Sequence, residues 1–127
     1  MNVLLTSRLY PSSAYPERGT FVHNQAHFLA ELCQLEIIVP TPFFPSLPGF
    51  GRWSAMARVG KREMLDGLAV SFPRYLSLPR RVLFTRAWRF YLRALKRGHM
   101  RHPDLIHAHL AYPDGRAAVE YGRQLGV

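Results

Sequence analysis

Four histidines fall into two pairs whose spacing would bring imidazoles together. His23 and His27 stand four apart in "FVHNQAHFLAEL", a segment with helical periodicity, so they share one helix face. His107 and His109 alternate in "DLIHAHL", which reads as a strand, so they share one face of a sheet. Imidazole can ligate a metal, move a proton or hydrogen-bond a hydroxyl. No metal site is expected, because "HNQAH" lacks the glutamate of H-E-x-x-H and the sequence places no thiol or carboxylate to complete a set from the two pairs. No cofactor is expected either. His107 reads as a core histidine bonded to a loop, and His109, at the strand end, as a cleft residue.

A second group of chemistry-bearing residues surrounds Gly19 in "RLYPSSAYPERGTFVHNQ". The stretch lies between an apolar strand and a helix, a placement that puts it beyond the carboxyl end of a sheet, where ligands bind. Gly19 can take a positive φ or let backbone come close to a ligand. Amides at the start of the following helix favour an anion, and Arg8 and Arg18 add positive charge. Thr20 is the expected N-cap. A dinucleotide fingerprint is excluded, since G-x-G-x-x-G is absent and the second strand ends in "VPTP" without an acid for a ribose hydroxyl. A Walker loop is excluded by the lack of G-K-[ST]. The residues leave two readings open, a substrate-facing loop and a plain connection.

The elements that must position these groups alternate. "NVLLTS" (2–7) is short and apolar, like a strand buried on both faces. A helix is expected over 20–33, with Phe21, Val22, Ala26, Leu29, Ala30 and Leu32 on its apolar side. "LEIIVP" (35–40) is a second buried strand. "TPFFPSLPGFGRW" (41–53) carries three prolines and two glycines and reads as a loop without regular structure. Asp66-Gly67 between apolar runs signals a hairpin, with a strand over 68–72. The clearest helix runs from Val82 to Arg97, with Phe84, Trp88, Tyr91 and Leu95 on one stripe. "DLIHAHL" is a further strand, and "PDGRAAVEYGRQLGV" opens a last helix. This order predicts an α/β domain, a parallel sheet with helices on its faces.

Composition sets the outer bounds. At 127 residues with 48% hydrophobic content the chain can bury one core. No apolar run approaches the roughly 18–20 residues of a membrane span, and "MNVLLTSRLYP" does not read as a signal peptide. A cytoplasmic location is the expectation. Cys33 is the single cysteine, which excludes an internal disulfide, and it reads as a small core residue. The net charge is +9, and between Asp66 and Asp104 nine Arg or Lys stand with no acid. Such a block suggests an anionic partner: a phosphorylated substrate, an acidic membrane or nucleic acid. Arg86, Arg89, Arg93, Lys96 and Arg97 are the membrane-facing candidates, which would give the chain a peripheral place at the inner face. A solvated helix face is the plain alternative. Nucleic acid is disfavoured by the lack of any helix-turn-helix, RNP or zinc-finger pattern. Phe43, Phe44, Leu47, Phe50 and Trp53 would dip into lipid, receive a lipid-linked acceptor, or fold over the sheet.

Three stretches together resemble a known family. "RLYPSSAYPERGTFVHNQAHFLAEL", "DGLAVSFPRY" and "HPDLIHAHLAYPDGRAAVEYGRQLGV" are similar, in order, to the first loop and helix, the hairpin and the D-[LI]-I-H-x-H strand with its helix in retaining glycosyltransferases of the GT-B type, family 4. The nearest flavour is the subgroup linked to teichuronic acid and other surface polysaccharides. The resemblance implies an incomplete N-terminal, acceptor-side half-domain of a Rossmann-like fold over residues 1–127. The donor domain with its E-x7-E motif is not represented, for no two glutamates here stand eight apart. It implies a nucleotide sugar and a glycan or lipid-linked acceptor as partners of the full enzyme, and no turnover by this chain alone. Arg8, Arg18, Gly19, Thr20, His23 and His109 become the candidate cleft residues; His23 and His109 match family positions and His27 does not. A stand-alone basic module binding an anionic membrane or a protein partner is the alternative. In the expected strand order the "LIHAH" strand is an exposed edge, inviting self-association.

Overall fold

The computed structural model describes residues 1–43, 51–77 and 83–127, with residues 52–54 described by their backbone alone. Its main sheet is built from β1 (Asn2–Thr6), β2 (Gln34–Ile38), β4 (Arg62–Leu65), β5 (Leu68–Ser71) and β7 (Leu105–Ala108), in the order β4-β5-β2-β1-β7. Four of these strands run parallel, and β4 alone is antiparallel, paired with β5. This is a Rossmann-like sheet with flanking helices, its parallel strands in the order 3-2-1-4 with the "LIHAH" strand at the edge, as expected. The Asp66-Gly67 turn has φ of 47° and 83° at its two central residues, as a tight hairpin between right-twisted strands requires. Among the described residues nothing pairs with the outer side of β7, and Leu105 there is 47% exposed.

The central strands are buried on both faces because helices cover both. Leu4 and Ile38 join Tyr91, Leu92, Ala94 and Leu95 of α3 (Ala87–Gly98) and Ala117 and Tyr121 of α4 (Arg116–Leu125). Leu5 and Ile37, pointing the other way, join Val22 and Ala26 of α1 (Thr20–Leu32), with Val39, Val70 and Phe72.

Several expectations need correction. The stretch after β2 is not wholly irregular: Thr41–Phe43 forms β3, which pairs in parallel with β6 (Arg74–Leu76) as a second, two-stranded sheet, and Gly51–Ala57 forms α2. Pro42 is tolerated there because a two-stranded ribbon is all edge. The basic helix begins at Ala87, after a 3-10 turn over Phe84–Arg86. Phe84 is therefore exposed rather than part of the core stripe, which is Tyr91, Leu92, Ala94 and Leu95. On α1, Phe21, Ala30 and Leu32 face solvent. Cys33 follows the helix half-buried, its thiol donating to the Leu29 carbonyl at 3.1 Å. Phe44, Leu47, Phe50 and Val82 lie outside the described residues, as does the side chain of Trp53.

Candidate functional site

The carboxyl ends of β1 and β7 deliver the candidate residues: Ser7 and Arg8 follow Thr6, and His109 follows Ala108. After Thr6 the chain turns through Ser7, whose hydroxyl donates to the Leu9 carbonyl at 3.0 Å. The turn leaves Arg8 exposed and its backbone N–H donating to Asp114 Oδ2 at 2.8 Å. Asp114 is fully buried in the turn Ala111–Gly115, which contains the cis Tyr112–Pro113 bond. Burial pushes the Asp114 carboxyl above the usual carboxylate range, against the pull of the Arg8 amide and guanidinium. Its Oδ1 is buried without a hydrogen-bond partner.

His109 follows β7, its N–H bonded to the Thr6 carbonyl at 3.3 Å. The ring stacks on His107 at 4.8 Å between centroids and meets Phe21 of α1 edge-on at 6.0 Å. Desolvation, then the neighbouring His107, lowers the His109 pKa, and its Nε2 is buried without a partner. Two buried polar atoms thus stand unsatisfied against the end of β1, an arrangement that costs stability unless another group supplies the hydrogen bonds.

Arg18 is half-buried and lines a small niche with Arg8, Tyr10, Ser12 and Thr41. Both arginines oppose the ionisation shift of Tyr75, whose hydroxyl is pushed up to about 12 by burial and then by the Asp114 charge. Below them, Tyr91 Oη and Thr6 Oγ1 share a buried hydrogen bond of 2.8 Å. The niche carries two arginines with the Tyr10, Ser12 and Thr41 side chains beside them, an arrangement suited to a small anionic group.

Gly19 serves the loop's own closure. It adopts φ 68°, and a Cβ there would stand 2.5 Å from the Leu9 carbonyl carbon and oxygen. Left-handed backbone and close packing both demand glycine. Gly19, not Thr20, occupies the cap position; Thr20 is the exposed first residue of α1 and makes no side-chain cap bond.

His23 does not join His109. Its Nδ1 is bonded to Tyr10 Oη at 2.8 Å and its Nε2 to Asp66 Oδ2 at 2.9 Å, so it ties the first loop, α1 and the hairpin turn together. Ser13 reinforces the same junction, its hydroxyl donating to Glu63 Oε1 at 2.6 Å. The expectation that no carboxylate stands near the helical histidine pair is thereby corrected: Asp66 does.

Arg86, Arg89, Arg93, Lys96 and Arg97 are all exposed on the outer side of α3 and the turn before it. Arg89 lies over Trp88 at 5.4 Å and Arg93 over Phe90 at 5.9 Å, while Arg97 donates to the Arg74 carbonyl. Among the described residues no helix is long and apolar enough to cross a membrane.

Sequence reasoning does not single out Asp114 or Tyr10, and reads Asp66 as a turn residue alone. Asp114 carried a signal, an acid in "YPDG" directly after the histidine strand; the other two acquire meaning only from the fold.

No family model matches the chain, and no solved structure matches it. It is similar to TuaC of Bacillus subtilis (strain 168), whose name assigns it to teichuronic acid biosynthesis as a glycosyltransferase, with 31% identity over 134 residues, covering 93% of this chain and 32% of that protein. The chain therefore spans about a third of the length of the relative it matches, and its relationship is to a glycosyltransferase.

Proposed function

We propose that this chain is the acceptor-side, N-terminal portion of a retaining GT-B glycosyltransferase of family 4, in which a sugar moves from a nucleotide sugar to a surface-glycan or lipid-linked acceptor. The observation that carries the reading is the pairing of two facts. Similarity to a glycosyltransferase extends along nearly the whole chain, and beyond the carboxyl ends of β1 and β7 Arg8 lines a niche with Arg18 and bonds Asp114 through its amide, while His109 follows β7. Arg8 and Arg18 would hold the acceptor's anionic group. His109 Nε2 would hydrogen-bond a hydroxyl. Asp114 positions the Arg8 backbone. Donor binding would fall to a second domain, so the chain by itself should turn over no sugar nucleotide.

A purified sample given a nucleotide sugar and a prenyl-diphosphate-linked glycan tests this. The expected result is no turnover, with acceptor binding weakened at least ~10-fold by the double change Arg8→Ala, Arg18→Ala, since each lost charge-assisted contact is worth about 1.5–3 kcal/mol. Turnover by the chain alone would overturn the division of labour, and binding indifferent to both arginines would overturn the site.

The exposed basic side of α3 favours a second role, contact with an anionic membrane that would bring the site to a lipid-linked acceptor. Co-sedimentation with vesicles containing acidic lipid should be strong at low salt and fall as salt rises, with little binding to neutral vesicles. Equal binding to DNA would remove the lipid specificity of that reading.

A further inference from the structure

Beside the arginine niche, on the far side of Tyr10, three side chains form a donor set to which the proposed function gives no role. His23 and His27 lie one turn apart on α1, rings 4.7 Å apart between centroids, and Asp66 approaches from the hairpin turn. One donor atom from each residue, two imidazole nitrogens and a carboxylate oxygen, lies within 4.8 Å of the others. We infer that these residues form a binding site for a divalent transition-metal ion of the zinc type.

The chemistry of the set points to that class. Two imidazoles and one carboxylate suit zinc, cobalt or nickel, whereas magnesium and calcium prefer oxygen alone. Three protein donors leave a position for water or an anionic ligand. The spacing is close to what such an ion needs. With bonds of 2.0–2.1 Å, tetrahedral donors stand about 3.3 Å apart. His23 Nε2 and Asp66 Oδ2, at 2.9 Å, need only open slightly around an ion. The farthest donor stands at most about 1.5 Å beyond that spacing, a distance side-chain rotation can close: His27 is half-buried, and the Asp66 side chain is 79% exposed on its turn.

Tyr10 supplies the outer support a ligating histidine requires. Its buried hydroxyl sits 2.8 Å from His23 Nδ1. In the tautomer that carries its proton on Nε2, His23 donates to Asp66 and accepts at Nδ1 from Tyr10. With an ion, the proton resides on Nδ1 and is donated to Tyr10 Oη, while the Nε2 lone pair faces the metal. The ion would clip the first loop, α1 and the hairpin at the point where His23 already joins them.

Titration of the chelator-treated full chain with Zn²⁺ by calorimetry, and with Co²⁺ by absorbance, tests the site. One equivalent should bind, with visible d–d bands from cobalt and a rise in thermal midpoint. Asp66→Asn and His27→Gln should each weaken binding at least ~10-fold and abolish the thermal gain. Asparagine tolerates the left-handed conformation at position 66, so that variant keeps the turn, and far-UV circular dichroism verifies folding in both. His107→Gln should change nothing. Absence of a one-equivalent event, or equal binding by wild type and both variants, would overturn the site and leave Tyr10, His23 and Asp66 as a hydrogen-bond chain only.

Discussion

His23 and His109 stand on neighbouring elements and have opposite surroundings. Both nitrogens of His23 have partners, Tyr10 on one side and Asp66 on the other. His109 has a stacked histidine, an edge-on phenylalanine and a buried nitrogen with nothing to bond, and close by at the end of β1 Asp114 keeps a buried oxygen in the same condition. The first region is satisfied and joins three segments. The second carries desolvation that no described residue offsets. The contrast separates a histidine whose two nitrogens join three segments from one whose buried nitrogen has no partner among the described residues.

The most forceful way to break this comparison is at Gly19, on which the satisfied region depends. Gly19→Ala must hold an L-residue at φ 68° and place a methyl 2.5 Å from the Leu9 backbone. We expect a loss of about 3 kcal/mol or more, summing roughly 1–2 kcal/mol for the left-handed conformation with the cost of moving backbone. Gly126→Ala is the matched control: φ is 77°, but nothing lies within 4 Å, so about 1 kcal/mol should be lost. Chemical denaturation of both variants measures the difference. Equal losses would mean that the contact with Leu9 is relieved cheaply and that the loop is not pinned where the geometry puts it.

Gly19 also marks how far the sequence can be read. Its glycine is visible as a loop feature near a strand end, and the main-sheet parallel strands, the long helices and the Asp66-Gly67 hairpin follow from apolar runs and turn residues, while the strand order rests on the usual order of such sheets. What glycine does there was not visible, because an open approach to a ligand and a close approach to Leu9 demand the same residue. The partners of His23 were hidden for a related reason. Tyr10 and Asp66 lie 13 and 43 positions away, and only the packing of loop and hairpin against α1 brings them together. In Thr41–Phe43 local signals misled outright: proline argues against a central strand, and the pairing with Arg74–Leu76 makes a ribbon with no centre.

Finer resolution of the unsatisfied region comes from pH, because its two groups titrate with opposite sign. Burial raises the Asp114 pKa, so the folded state holds that proton more tightly than the unfolded chain. Its contribution is fully present below the ordinary carboxylate value and is lost as pH rises through the raised folded value. Desolvation and His107 lower the His109 pKa, so the folded state prefers the neutral ring. That contribution is present above the ordinary histidine value of about 6.5 and is lost as pH falls through the lowered one. Relative to wild type, Asp114→Asn should therefore lose ground as the solution is acidified through the carboxylate window. His109→Gln should gain ground as it is acidified through the window just below about pH 6.5. The histidine effect should be the smaller, since its ring is only partly withdrawn from solvent whereas Asp114 is fully buried. Stability curves for the three proteins across pH decide the matter. A His109→Gln curve parallel to wild type would show that the ring is solvated after all, and the contrast with His23 would then rest on Asp114 alone.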